Sequence, residues 1–225
     1  MSRSIGLDET LTAYVRNANR AEHPALEACR HFTDNMGQIS RMQISPEQGA
    51  FLQLCARLVN ARIAVEIGVF TGYSSTATLL TMKELHGDQA RLYACDLNAD
   101  YFRQAKRFWD QAEVTHLIEE RLGDATETAN QLAGEIAGQA DILFIDADKA
   151  NYDIYYEAGL KILRPGGLML LDNVLWNGDV ADERKRAGDR DTSALYQLAE
   201  KVRDDDRVDM SFTSIGDGVL MAIKR

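Results

Sequence analysis

The chain has 225 residues, 45% hydrophobic and 27% charged, with 25 lysines and arginines against 35 aspartates and glutamates. That length buries a real core in one α/β domain, and a formal charge of −10 at pH 7 argues against a nucleic-acid binder or attraction to anionic membranes. Cys29, Cys55 and Cys95 lack paired spacing, and no apolar run reaches the ~18 residues of a membrane span or forms a signal-peptide core, so free thiols in a reducing, cytoplasmic setting are expected.

Residues 1–60 read as helices. "LDETLTAYVRNA" and "PALEACRHFTDNM" carry apolar residues at helical spacing. "SPEQGAFLQLCARLVNA" opens with Ser45 as N-cap, Pro46 at the first helical position and Gln48 completing a capping box. From Arg62 onward, short apolar strands alternate with helical segments. The predicted strands are "IAVEIGV", "RLYACD", "HLIEERLGD", "DILFIDA", "GGLMLLDN", "VDMSFTSI" and "GVLMAIKR", with helices opening near Tyr73, Asp100, Ala125, Asn151 and Thr192. Apolar strands joined by helices imply a parallel sheet covered on both faces. Only "GDG" (Gly216 to Gly218) joins the last two strands, too little for a crossover, so they form an antiparallel hairpin. The expectation is one α/β domain over residues 1–225: an N-terminal helical extension, then a seven-stranded, mostly parallel sheet over residues 61–225 ending in a hairpin.

Open sheets of this kind bind ligands beyond the carboxyl ends of their strands, near the switch point. Glu66, Asp96, Asp124, Asp146 and Asp172 all fall there. One such acid is readily a helix cap; five together point to a site. "VEIGVFTGYSS" follows the first strand, but Gly68 and Gly72 give G-x-x-x-G and miss the dinucleotide fingerprint. Val69 and Phe70 stand where a pyrophosphate needs close backbone approach. S-adenosylmethionine makes no such demand. Gly68 would let the backbone approach it, and Ser74 at the helix start would bind its carboxylate. Glu66 would face its cationic end, Asp96 its ribose hydroxyls, and Asp124-Ala125 its adenine. A tight strand-to-helix turn is the plain alternative for both glycines. In "ILFIDADKANY" and "LMLLDNVLWNG", apolar strands stop at Asp146, Asp148 and Lys149 and at Asp172 and Asn173. Both strands are read as delivering oxygen ligands to one metal ion beside the methyl donor.

"EIGVFTGYSS", "ACDLN", "FIDADKANY" and "LLDNVLWNGDV" together resemble the cation-dependent class I O-methyltransferases, over about residues 40 to 225. The likeness is above all to the caffeoyl-CoA O-methyltransferase-like group of bacterial type, and more distantly to catechol O-methyltransferase. It implies a Rossmann-like sheet, S-adenosylmethionine, a divalent cation (magnesium first, manganese or calcium as alternatives), a small phenolic acceptor with adjacent hydroxyls, and a homodimer. Residue by residue, it implies metal ligation by Asp146, Asp172 and Asn173. Donor contacts would come from Ile44, Glu66, Gly68, Val69, Ser74, Asp96, Ala125, Asp146 and Asp148. Ile44 departs from a position that is often smaller or polar, which leaves it a backbone contact only. Lys149 falls on the catalytic lysine, acting beside Asp146, and Asn177 on a position facing the acceptor.

The chemistry suits these residues. A phenol with a pKa near ~10 is a poor nucleophile at neutral pH, and a divalent cation on two adjacent hydroxyls stabilises the oxyanion. Two carboxylates and the Asn173 carbonyl leave about three positions of an octahedral magnesium shell open. Neither motif contains His or Cys, which argues against zinc. Lys149 would accept the phenolic proton; its plain alternative is a pair with Asp148 at a helix start. Trp176 and Tyr152 are candidate walls for a flat ring, or core residues. "WNGDVADERKRAGDRDTSALYQ" reads as a charged loop, either a lid over the acceptor or a solvated connection. The competing functions are a nucleotide-cofactor oxidoreductase, disfavoured by the missing fingerprint, and a non-catalytic S-adenosylmethionine-binding protein.

Overall fold

A computed structural model describes residues 4–225. Its N-terminal helices begin where the sequence supplies caps. Helix α1 (Glu9–Ala18) starts on Asp8, which accepts from the Leu11 amide at 2.8 Å, and α2 (Pro24–Asp34) starts on His23 with proline in its first turn. Helix α3 (Pro46–Leu58) starts on Ser45, whose Oγ accepts from the Gln48 amide at 3.3 Å. The reciprocal half of the expected capping box is not made. The Gln48 side chain is buried and its Oε1 lies against Gly216 instead.

The core alternates strands and helices: β1 (Ile63–Ile67), α4 (Tyr73–His86), β2 (Arg91–Asp96), α5 (Ala99–Gln111), β3 (Ile118–Leu122), α6 (Ala125–Glu135), β4 (Ala140–Ile145), α7 (Tyr152–Ile162) and β5 (Leu163–Asp172). Then come α8 (Glu183–Gly188), α9 (Arg190–Arg203), β6 (Val208–Thr213) and β7 (Val219–Lys224). The seven strands lie in the order β3-β2-β1-β4-β5-β7-β6, with β1 to β5 parallel and β7 antiparallel to both β5 and β6. The seven-stranded, mostly parallel sheet and its terminal hairpin match the expectation. The chain runs outward from β1 to β3 and returns to the other side of β1 at β4, which makes the β1–β4 junction the switch point.

Alternation sends neighbouring residues of each strand to opposite faces. Ile142, Phe144, Leu168 and Leu170 pack with Leu52, Phe102 and Trp109 on one side. Leu143, Ile145, Met169 and Leu171 pack with Tyr155, Leu195 and Leu198 on the other. Register then positions the site. Ile67 pairs with Ile145, and Ile145 with Leu171, so β1, β4 and β5 finish in one layer. Asp146 and Asp172 therefore leave adjacent strands, about 4.8 Å apart, at the same height.

Two segments differ from expectation. Strand β5 begins at Leu163, ahead of the Gly166-Gly167 pair. The charged stretch after it is no irregular loop: a 3-10 turn at Trp176–Ala181 leads into α8 and α9. Asp182 caps α8 by accepting from the Arg184 amide at 2.8 Å, and Asp189 caps α9 by accepting from the Thr192 amide at 2.7 Å. These caps sit in a run of charges, where apolar periodicity carries no signal. No helix among the described residues is long and apolar enough to cross a membrane.

Candidate active site

The turn after β1 is shaped by two glycines. Gly68 has φ +93°, and a Cβ there would stand 2.0 Å from the Asp146 carbonyl oxygen. Gly72 has φ +83°, and its Cβ would reach 2.6 Å from that of Ala105 on α5. The close approach at Gly68 is between the exits of β1 and β4, so this packing requires glycine there whether or not a ligand also meets its backbone. Val69, buried, and Phe70 donate their amides to Asp96 Oδ2 at 2.9 and 3.0 Å, while the Asn98 amide donates to Oδ1 at 2.8 Å. Three of the roughly four acceptor directions of the Asp96 carboxylate therefore hold the turn. Ribose hydroxyls would have to share what is left.

Ser74, expected to bind a ligand carboxylate, donates its hydroxyl to Glu66 Oε1 at 2.5 Å. Glu66 is 2% exposed. Burial, reinforced by the neighbouring Asp146 and Asp96 carboxylates, pushes its carboxyl up to about 8, although the Ser74 bond pulls the other way. Asp124 is a helix cap, accepting from the Thr126 and Glu127 amides, and Ala125 opens α6 behind it. Ile44 is buried beside the Ser45 cap.

At the ends of β4 and β5 two carboxylates face one another. Asp172 is 1% exposed. Burial and then the Asp146 charge raise its pKa, while Lys149, the Asn173 amide and Gln48 oppose the rise. The Asn173 amide donates to Asp172 Oδ1 at 2.8 Å from a left-handed backbone, φ +58°. Neighbouring carboxylates followed directly by an asparagine supply the oxygen donors that suit a hard cation. No three His, Cys, Asp or Glu side chains gather in a metal-binding group among the described residues, so such a site depends on the Asn173 amide oxygen as third ligand.

Lys149 is buried, with Nζ 3.0 Å from Asp146 Oδ1 and 2.6 Å from Tyr152 Oη. The plain alternative, a pair with Asp148, does not form. Asp148 instead accepts from the Tyr155 hydroxyl at 2.5 Å and from Asn151 Nδ2 at 2.6 Å. Tyr152 is 0% exposed and its hydroxyl reaches the carbonyl oxygens of Ile145 and Asp172. It has no face to offer a substrate, which corrects its reading as an acceptor wall. Trp176 is half-buried, with its ring centroid 5.8 Å from Lys149 Nζ, in keeping with a wall beside the lysine. Asn177 is exposed, with its amide donating to Asp217 Oδ1 at 2.8 Å.

Gln48 and Asp217 have no place among the site residues expected from the sequence. Gln48 brings its amide toward Asp172, yet Nε2 makes no close hydrogen bond, so the approach is electrostatic. Its place in an apparent capping box hid it. Asp217 lay inside the "GDG" read only as a turn.

Residues 16–225 match the profile of a family described as O-methyltransferase. The chain belongs to this O-methyltransferase family. Among its relatives, "Probable caffeoyl-CoA O-methyltransferase 1" of Dictyostelium discoideum is 38% identical over 184 residues, 81% of this chain and 78% of that protein. "Catechol O-methyltransferase domain-containing protein 1" of Mus musculus is 36% identical over 219 residues, 96% of this chain and 80% of that protein. The O-methyltransferase TomG from Streptomyces achromogenes, solved in complex with SAM, superimposes with a TM-score of 0.84 at 26% identity, covering 96% of each chain. The solved O-methyltransferase thus shares the sheet and its hairpin.

Proposed function

We propose that this O-methyltransferase transfers the methyl group of S-adenosylmethionine to a hydroxyl of a catechol-like small molecule, with a divalent cation, magnesium first, at Asp146, Asp172 and Asn173. The carrying observation is the register that brings the ends of β4 and β5, and so Asp146 and Asp172, side by side next to the switch point, with Lys149 on Asp146. When bound, the cation supplies charge that favours the ionised acceptor oxygen and orients adjacent hydroxyls. In the transfer the acceptor oxygen forms a bond to the methyl carbon, the carbon–sulfur bond breaks, and S-adenosylhomocysteine leaves as a neutral thioether. Lys149 Nζ takes the acceptor's proton. Trp176 packs against the ring, and Asn177 borders it. Glu66 faces the donor's cationic end, Asp96 its ribose and Ala125 its adenine. Alignment of these groups supplies much of the rate.

The test is turnover of a catechol panel with S-adenosylmethionine and magnesium. Methyl ether should form and a chelator should stop it; no turnover across a broad panel contradicts the reading. We also propose a homodimer packed partly through the N-terminal helices, supported by exposed Tyr14, Leu54 and Leu58 on α1 and α3. Sedimentation showing only monomer removes that proposal. A cytoplasmic setting is proposed from three buried, unpaired cysteines.

A further inference from the structure

We infer that Tyr152 is a positioning residue that aims the Lys149 nitrogen at the acceptor oxygen; the inference deepens the proposed transfer reaction and rests on that reading of Lys149. A tyrosine hydroxyl has one proton and two acceptor lone pairs. Tyr152 Oη lies 3.2 Å from the Ile145 carbonyl oxygen and 3.1 Å from that of Asp172. Neither carbonyl has a proton to give, so the hydroxyl donates to them. Its oxygen is then left to accept from Lys149 Nζ at 2.6 Å.

That polarity decides where the lysine points. One N–H of Nζ is held by Tyr152 Oη and a second by Asp146 Oδ1 at 3.0 Å. The remaining corner of the tetrahedral nitrogen, lone pair or third proton, is the one free to address a substrate. Trp176, 5.8 Å from Nζ, borders the nitrogen as well. A hydroxyl donating to Lys149 would occupy its lone pair and block proton transfer; the two carbonyls prevent this.

Local geometry makes the arrangement possible. Lys149–Asn151 form a 3-10 turn, in which residues three apart eclipse, so Lys149 lies over Tyr152. The carbonyls that hold Tyr152 come from the last residue of β4 and the last of β5. The nitrogen is thereby set relative to the same two strand ends that carry Asp146 and Asp172. Full burial of the ring keeps the hydroxyl from turning to water.

The experiment is Tyr152→Phe, which keeps the ring and removes only Oη. We expect kcat to fall about 10- to 100-fold, as for other residues that orient a reacting group, with KM for S-adenosylmethionine within about twofold. In a Lys149→Ala background the same change should cost nothing further, because Tyr152 acts through the lysine. Wild-type kcat in the single variant, or an equal loss in both backgrounds, overturns the inference. A crystal structure of Tyr152→Phe gives a readout free of turnover: Nζ should leave its place beside Asp146, and an ordered Nζ at the original position overturns the inference. If the variant does not fold, lysine 15N NMR of the wild-type protein decides. A slowly exchanging Lys149 ammonium or amine supports the clamp, and one as mobile as a surface lysine refutes it. Absence of catechol turnover by the wild-type protein would sink the proposed function while leaving the crystal and NMR tests of the clamp intact.

Discussion

Replacing Glu66 by Gln should stabilise the ligand-free protein in a strongly pH-dependent way. Glu66 is buried at the end of β1, and its carboxyl rises from 4.5 to about 8 on folding. The folded chain therefore holds a proton that the unfolded chain releases, and stability is lost as pH rises from about 4.5 toward about 8. At about 1.4 kcal/mol for each tenfold change, this one group removes about 3 kcal/mol between pH 5 and pH 8. Gln cannot ionise, and its amide oxygen can still accept from Ser74. The stability gap between variant and wild type should thus widen by about 3 kcal/mol over that interval. Urea unfolding with chelator present and no S-adenosylmethionine measures it, and the pH dependence of Asp172 is common to both proteins and cancels. A gap constant to within about 0.5 kcal/mol would show that Glu66 is already ionised in the ligand-free fold. The same variant should bind S-adenosylmethionine at least about tenfold more weakly, about 1.4 kcal/mol for one lost charge near the donor's cation, as calorimetry would show.

Asp146→Ala should reduce metal-dependent turnover by at least about 100-fold with the circular dichroism spectrum unchanged; normal turnover would contradict the metal assignment. Gly68→Ala forces a Cβ to within 2.0 Å of the Asp146 carbonyl at φ +93°, and should cost about 3 kcal/mol or more in urea. Asp141 accepts the Arg62 and Ile63 amides at 2.8 Å each and Arg164 Nε at 2.6 Å. Asp141→Ala should lower unfolding free energy by about 2 to 3 kcal/mol without changing KM, because the residue lies at the opposite ends of β1 and β4 from the site.

The alternation of apolar strands with helices, the hairpin forced by "GDG", and the acids at or just after the ends of the five parallel strands are properties of contiguous residues, and the sequence by itself determined them. Asp146, Lys149, Asp172 and Asn173 stand out in the same way, as charged or amide side chains that end apolar runs. Tertiary structure alone decided what depends on register between distant segments. It inserted β7 between β5 and β6, turned Gln48 from its own helix cap toward Asp172, and set the Gly68 backbone against Asp146. It also buried Tyr152 beneath Lys149, because two carbonyls from separate strands converge on one hydroxyl. Periodicity reports which face of an element is apolar. Which atoms meet across that face is set only when the strands align.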